Sequence, residues 1–174
     1  MTIVGDAQAN QISVTRASNG TFTISGTDTT IGGSTDPFTT ATGRHQYLTI
    51  AMYGGNDEVT ITNTSLARHI SYSGGDGDDR LTTVGADSLY FRGEGGAGND
   101  VFDLNMTTRK SFYLYLGDGN DTVAVESASA GRNFKVFGEA GNDTFVSASL
   151  QVGRKFEINL GNGNDTLLFA GTTT

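Results

Sequence analysis

Six times along this 174-residue chain a Gly-rich bend closes on an aspartate: at Asp57, Asp79, Asp100, Asp121, Asp143 and Asp165. The intervals are 22, 21, 21, 22 and 22 residues, and five of the six bends end in Gly-Asn-Asp, the other in Gly-Asp-Asp79. A constant period of this length marks a solenoid, each repeat forming one coil stacked on the last. The six carboxylates are therefore expected to stand in a column. Coils of a parallel β-solenoid lie about 4.8 Å apart, so ionised neighbours repel by roughly 3 to 4 kcal/mol at an effective dielectric near 20, and by about 1 kcal/mol in water. Like charges in register destabilise a sheet, and a cation between them removes the repulsion. Glycine admits positive φ and lets carbonyl oxygens turn inward. With aspartate beside them the donors are all hard oxygen, which selects calcium over zinc or copper. Neither His45 nor His69 lies in a bend and the chain has no Cys, which removes soft-metal sites.

The composition suits the same reading. There are 25 Gly and one Pro, as many tight turns without a Pro-rich linker require. A net charge of -8, clustered in the bends, argues against a nucleic-acid partner. Without Cys no disulfide framework can hold the fold, so metal or core must. The opening Met1-Thr-Ile-Val-Gly-Asp-Ala has no basic region followed by an apolar run, so no cleavable signal peptide is expected. No stretch approaches the roughly 18 apolar residues of a spanning helix.

Counting from each aspartate exposes the core, because strand side chains alternate between faces. Two residues on stand Val59, Leu81, Phe102, Val123, Phe145 and Leu167; four on stand Ile61, Thr83, Leu104, Val125, Ser147 and Phe169. Nine before stand Leu48, Ile70, Phe91, Phe112, Phe134 and Phe156; seven before stand Ile50, Tyr72, Gly93, Leu114, Val136 and Ile158. Each coil thus reads as strand, bend, strand and a far-side loop of six or seven residues. The expected fold is all-β: a right-handed parallel β-solenoid with two parallel sheets and an N-terminal β-hairpin cap. No 3.6-residue apolar stripe supports a helix. Residues 1–46 break the period and read as the cap, with Gln11 to Arg16 and Thr21 to Ser25 as a hairpin about Ala17-Ser-Asn-Gly20, followed by an irregular loop over Thr27 to Gly43. Asn10 stands where a repeat aspartate would, so no calcium is expected there. Residues 47–174 form the solenoid. The few residues after Phe169 are too short to cover the apolar end of a coil, so end-to-end stacking on a second copy is one expectation.

The bends Gly74-Gly-Asp-Gly-Asp-Asp79-Arg-Leu81 and Gly95-Gly-Ala-Gly-Asn-Asp100-Val-Phe102 resemble the repeat-in-toxin (RTX, hemolysin-type) calcium-binding nonapeptide, and the other four match it in part. The resemblance covers roughly residues 48 to 170. It implies a calcium-binding β-roll in a bacterial protein exported by type I secretion to the outside or the cell surface. It further implies that Asp57, Asp79, Asp100, Asp121, Asp143 and Asp165 ligate calcium with the carbonyls of Gly55, Gly77, Gly98, Gly119, Gly141 and Gly163. By the same resemblance Gly75, Gly96, Gly117 and Gly161 join the site. The family places two nonapeptides on each shorter coil, whereas here one motif serves 21 or 22 residues, so calcium is expected along one edge only, up to about five ions in the five gaps between six bends.

The resulting expectation is a non-catalytic, calcium-dependent structural module of an adhesin, surface layer or matrix, folding as calcium binds. A surface-recognition module for glycan or ice is the alternative. The Asn rank at Asn56, Asn99, Asn120, Asn142 and Asn164 lacks a companion Thr rank, and Tyr113, Tyr115 and Phe137 are expected to face outward on neighbouring coils. An accessory module of a polysaccharide epimerase or lyase is less well supported, since His45 and His69 have no carboxylate partner at a readable spacing and Asp36-Pro37-Phe38 lacks a His. Arg68, His69, Arg109, Lys110, Arg132, Arg154 and Lys155 fall in the far-side loops. They form a candidate contact for an anionic glycan, a cell-surface polysaccharide or a neighbour's acidic edge.

Overall fold

Alternation of apolar and polar side chains about every bend becomes a stack of parallel β-coils in the computed structural model, which describes residues 1–27, 36–40 and 45–170. Strands β1 (Thr2–Val4), β2 (Gln11–Arg16), β3 (Phe22–Thr27) and β4 (Phe38–Thr39) come first. The periodic part follows: β5 (Tyr47–Gly54), β6 (Glu58–Thr62), β7 (His69–Asp76), β8 (Arg80–Ala97), β9 (Val101–Asp118), β10 (Thr122–Ala130), β11 (Asn133–Ala140), β12 (Thr144–Ser147), β13 (Leu150–Val152), β14 (Lys155–Asn159) and β15 (Thr166–Phe169). Among the described residues there is no helix.

Strand pairing follows the 21- to 22-residue period. On one side Leu48, Ile70, Phe91, Phe112, Phe134 and Phe156 pair coil to coil; on the other Val59, Leu81, Phe102, Val123, Phe145 and Leu167 do the same. Every inward row named from the sequence is buried until the last coil, where Phe156, Leu167 and Phe169 are 45, 47 and 39 % exposed. The phenylalanines stack as a ladder, with ring centroids 4.7 Å apart for Phe91 and Phe112 and 4.5 Å for Phe112 and Phe134. Gly93 interrupts the adjoining row because a Cβ there would lie 2.7 Å from Leu114 and 2.9 Å from the Phe91 ring.

At the N-terminal end β1 pairs parallel with β5 and β2 with β6, so the stack continues into the first 16 residues. The hairpin is present, β3 lying antiparallel on β2 around Gly20, whose φ is +90°. Phe22 and Ile24 of β3 are 0 and 2 % exposed, closing the core at that end. Most of the loop expected over Thr27 to Gly43 lies outside the described residues; within it, Phe38 pairs with Ile24.

The far side is more regular than a loop. β8 and β9 run unbroken around it for 18 residues each, turning at register shifts between Val84 and Ala86 and between Ser88 and Tyr90. The small buried residues Ala86, Ala128 and Ala130, together with Met106 and Leu150, give the coil a narrow third side. Strands can hug the core here because side chains this short leave the backbones room to approach.

Candidate metal centre along the bend edge

Each bend is built so that its backbone N–H groups alternate in direction along the stack. The amide of the glycine two before the aspartate donates to the following coil, as Gly98 N–H does to the Asp118 carbonyl at 2.8 Å. The next amide donates back to a side chain of the preceding coil: Asp78 to Asn56 Oδ1 at 3.0 Å, Asn99 to Asp78 Oδ1 at 2.7 Å, and Asn120, Asn142 and Asn164 each to the asparagine before at 2.8 Å. The aspartate's own amide donates forward again. Asp57 N–H reaches Asp79 Oδ1 at 2.8 Å, Asp79 reaches Asp100 at 2.9 Å, Asp100 reaches Asp121 at 2.7 Å, and Asp121 and Asp143 reach Asp143 and Asp165 at 2.9 Å. Two side-chain ladders thus run side by side and in opposite senses, an exposed Asn/Asp ladder outside and a buried Asp ladder inside.

The backbone shape that permits this requires glycine. Gly55, Gly77, Gly98, Gly119, Gly141 and Gly163 all have positive φ, and from Gly77 onward each α-carbon sits against the preceding glycine's carbonyl oxygen, so a Cβ would collide with main chain. Gly75, Gly96, Gly117 and Gly161 repeat the arrangement four residues before the aspartate; Tyr53 and Glu139 hold the same position at φ 75° and 76°.

The expected column of carboxylates is therefore present. Asp57, Asp79, Asp100, Asp121 and Asp143 are at most 2 % exposed, while Asp165, on the last coil, is exposed. One oxygen of each buried carboxylate takes an amide. The other, Oδ2, is buried with no hydrogen-bond partner at all five positions. For Asp79, Asp100 and Asp143 that oxygen lies against the α-carbon of Gly74, Gly95 and Gly138, where a Cβ would collide with it. A buried acceptor left unpaired costs about 1 to 3 kcal/mol.

Burial pushes Asp79 and Asp121 up to about 6 and Asp100 up to about 7; the amide hydrogen bonds oppose this and the neighbouring carboxylates add to it. Asp57 and Asp143 are raised for the same leading reason. Tyr72 stands beside the column: burial drives its hydroxyl well above the usual tyrosine range, and the charges of Asp79, Asp100 and Asp57 push the same way. At the N-terminal end Asn10 replaces the aspartate and gives Asp57 Oδ1 two donors, its amide N–H at 2.6 Å and its Nδ2 at 3.2 Å. The column so ends on neutral amides.

No family model, curated protein or solved structure matches this chain. The chemistry of the bends must be judged on their own geometry. Five buried, unpartnered carboxylate oxygens on one edge fit a hard cation. Among the described residues no three acidic, His or Cys side chains converge on a point, so such a cation would draw its remaining oxygens from glycine carbonyls and water.

Elsewhere the expected groups are placed as follows. Tyr113, Tyr115 and Phe137 stand half-buried on the outer face. The Tyr115 ring is sandwiched between the Arg92 guanidinium, 4.7 Å from its centroid, and Phe137 at 5.2 Å, so neither ring face is left for a sugar. His45 packs edge-on against Phe22 and His69 stacks between Tyr47 and Tyr90, and among the described residues neither forms an ion pair with a carboxylate. Sequence reasoning missed the buried row five before the aspartates, Met52, Leu116 and Leu160, whose signal is broken by Gly74, Gly95 and Gly138. It also missed that amides take half of every carboxylate.

Proposed function

We propose that this chain is a calcium-binding, non-catalytic structural module of an extracellular or cell-surface bacterial protein, its coils locked along one edge by calcium. The observation that carries this reading is the run of five buried Oδ2 atoms, one per coil, with no partner. The bends' resemblance to the RTX nonapeptide supports calcium as the ion, as does a donor set made wholly of oxygen. Asp57, Asp79, Asp100, Asp121, Asp143 and Asp165 would hold the ions with the carbonyls of Gly55, Gly77, Gly98, Gly119, Gly141 and Gly163. The ion supplies charge neutralisation and cross-links adjacent coils. Because ligand aspartates must be ionised, and stacked bends do not exist in the unfolded chain, binding and folding are coupled. Millimolar extracellular calcium then favours the coiled state, while a calcium-poor cytosol leaves the chain ready for export.

Terbium substitution tests this directly. Tyr72 lies beside the column, so a bound lanthanide should give sensitised emission that calcium displaces and magnesium does not. Calorimetry with calcium should show saturable binding of several ions. Heat no greater than for magnesium, together with no sensitised emission at millimolar metal, would overturn the proposal.

A further inference from the structure

The edge opposite the bends carries a groove that calcium binding does not use. It occupies about 590 Å³ and runs along the stacking axis over the coils of Asp100, Asp121 and Asp143. Its floor is Gly131 and Gly153, where the chain passes with no side chain above it. One wall is the row Thr107, Ser129 and Gln151, held in register by parallel pairing of β9, β10 and β13. Directly after the lining residues Arg109, Gly131 and Gly153 the chain places Lys110, Arg132 and Arg154, aligned by backbone bonds from Arg132 N–H to the Lys110 carbonyl at 2.7 Å and from Arg154 N–H to the Arg132 carbonyl at 2.8 Å.

The cations of this edge divide into spent and unspent. Arg109 lines the groove but is paired with Asp87 at 3.4 Å and bonded to the Leu66 carbonyl. Lys155 shares Glu157 with Lys135 at 2.9 and 2.8 Å, and Lys110 lies over the Tyr90 ring at 5.5 Å. Arg132 and Arg154 are exposed and have no acidic partner among the described residues. A chain of net charge -8 has thus left two successive arginines unpaired at one-coil spacing, beside a row of hydroxyl and amide groups.

We infer that this groove binds an extended anionic polysaccharide, its carboxylates on Arg132 and Arg154 and its hydroxyls on Thr107, Ser129 and Gln151. Guanidinium groups match carboxylates in a planar, two-bond geometry. Short hydroxyl and amide side chains both donate and accept, as a polyol requires. A nucleic acid fits less well. No aromatic ring lines the groove to stack a base, and the protein's overall negative charge opposes a phosphate backbone of such high charge density.

Affinity electrophoresis and calorimetry of the full chain test this with short oligoglucuronates, which leave calcium free, against neutral dextran and poly-glutamate, in calcium and again in chelator. Oligoglucuronate should bind and dextran should not, and raising the salt should weaken binding. Arg132→Gln with Arg154→Gln should lose at least tenfold in affinity, and Gln151→Ala a smaller factor, with far-UV circular dichroism unchanged in the same samples. Absence of binding by a chain that circular dichroism shows to be folded would overturn the inference, as would full affinity in the double variant. Equal binding of poly-glutamate would overturn the polysaccharide assignment. Concentration-dependent self-association that the double variant abolishes, without oligosaccharide binding, would assign the edge to a second copy instead. The calcium proposal stands or falls separately, because its readouts are at the bends.

Discussion

The two long edges of this coil are built from the same stacked backbone and treat charge in opposite ways. At the bend edge the repeated acid is turned inward, at most 2 % exposed over five coils, and each carboxylate gives one oxygen to a backbone amide of the neighbouring coil. At the far edge the repeated cations lie at the surface, and Arg132 and Arg154 have no acidic partner among the described residues. Stacking turns any repeated residue into a column about 4.8 Å apart. A buried column must be neutralised from within, by amides and then by protons or cations, whereas an exposed one can be left to solvent or to a partner. One edge is therefore the place to look for an ion and the other for a ligand.

On the calcium proposal, the widest break in this comparison would come from chelating the metal. Each site filled at a hundredfold excess over its Kd contributes about 2.7 kcal/mol, so chelation should cost the chain several times that figure. Hydrogen exchange should quicken first at the bend amides and last along β8 and β9 on the far side. Equal melting temperatures in calcium and in excess chelator would erase the distinction between the edges.

Next in size are paired glycine substitutions. Gly98→Ala places a Cβ against the Gly77 carbonyl at φ +132°, whereas at Gly131→Ala the added Cβ meets only the Arg109 carbonyl, without left-handed strain. Both should lower the free energy of unfolding measured by urea titration, Gly98→Ala by about 1 to 2 kcal/mol more. A larger loss at Gly131 would move the rigid edge to the far side.

The pH response sharpens the comparison further. Folded-state values of about 6 for Asp79 and Asp121 and about 7 for Asp100 lie above the ordinary 3.8, so the metal-free folded chain binds more protons than the unfolded one. Metal-free stability is then greatest below the unfolded value and falls as pH climbs through about 6 and 7. In chelator, urea midpoints should be higher near pH 5 than near pH 8. Calcium should reverse that slope, since its ligands must be deprotonated. Asp100→Asn should accordingly stabilise the chelated chain at pH 8 yet weaken calcium binding by about tenfold, near 1.4 kcal/mol. If the substitution shifts stability the same way with and without calcium, the column's charge is not what the ion answers.

The smallest effect is local. Glu139 holds φ 76° where Gly75, Gly96 and Gly117 stand in other coils, so Glu139→Gly should relieve up to about 1 kcal/mol of left-handed strain. A destabilised variant would show that this side chain makes contacts worth more than the strain.

Much of the fold was legible because parallel stacking repeats every demand at a fixed interval. The apolar rows two and four after each aspartate, and seven and nine before it, are buried in every coil but the last, and the aspartates do form a column. The third side was hidden. Its buried positions are mostly alanines, serines and threonines, with Leu66, Met106 and Leu150 too far apart to make a continuous apolar row, and only the stack shows Ala86, Met106, Ala128 and Leu150 at one level. The groove was invisible for the same reason, since Gly131 and Gly153 become a floor only when the rows on either side are in register.

The sequence alone determined the coil, its period and the line of carboxylates, because a two-residue alternation locked to a recurring bend leaves the chain one way to bury its apolar side chains. Only the tertiary structure decided which way each carboxylate turns, that one of its oxygens meets an amide and the other meets nothing, and which arginines stay unpaired. Those outcomes depend on distances of about 3 Å between residues 21 or 22 positions apart, which no local pattern encodes.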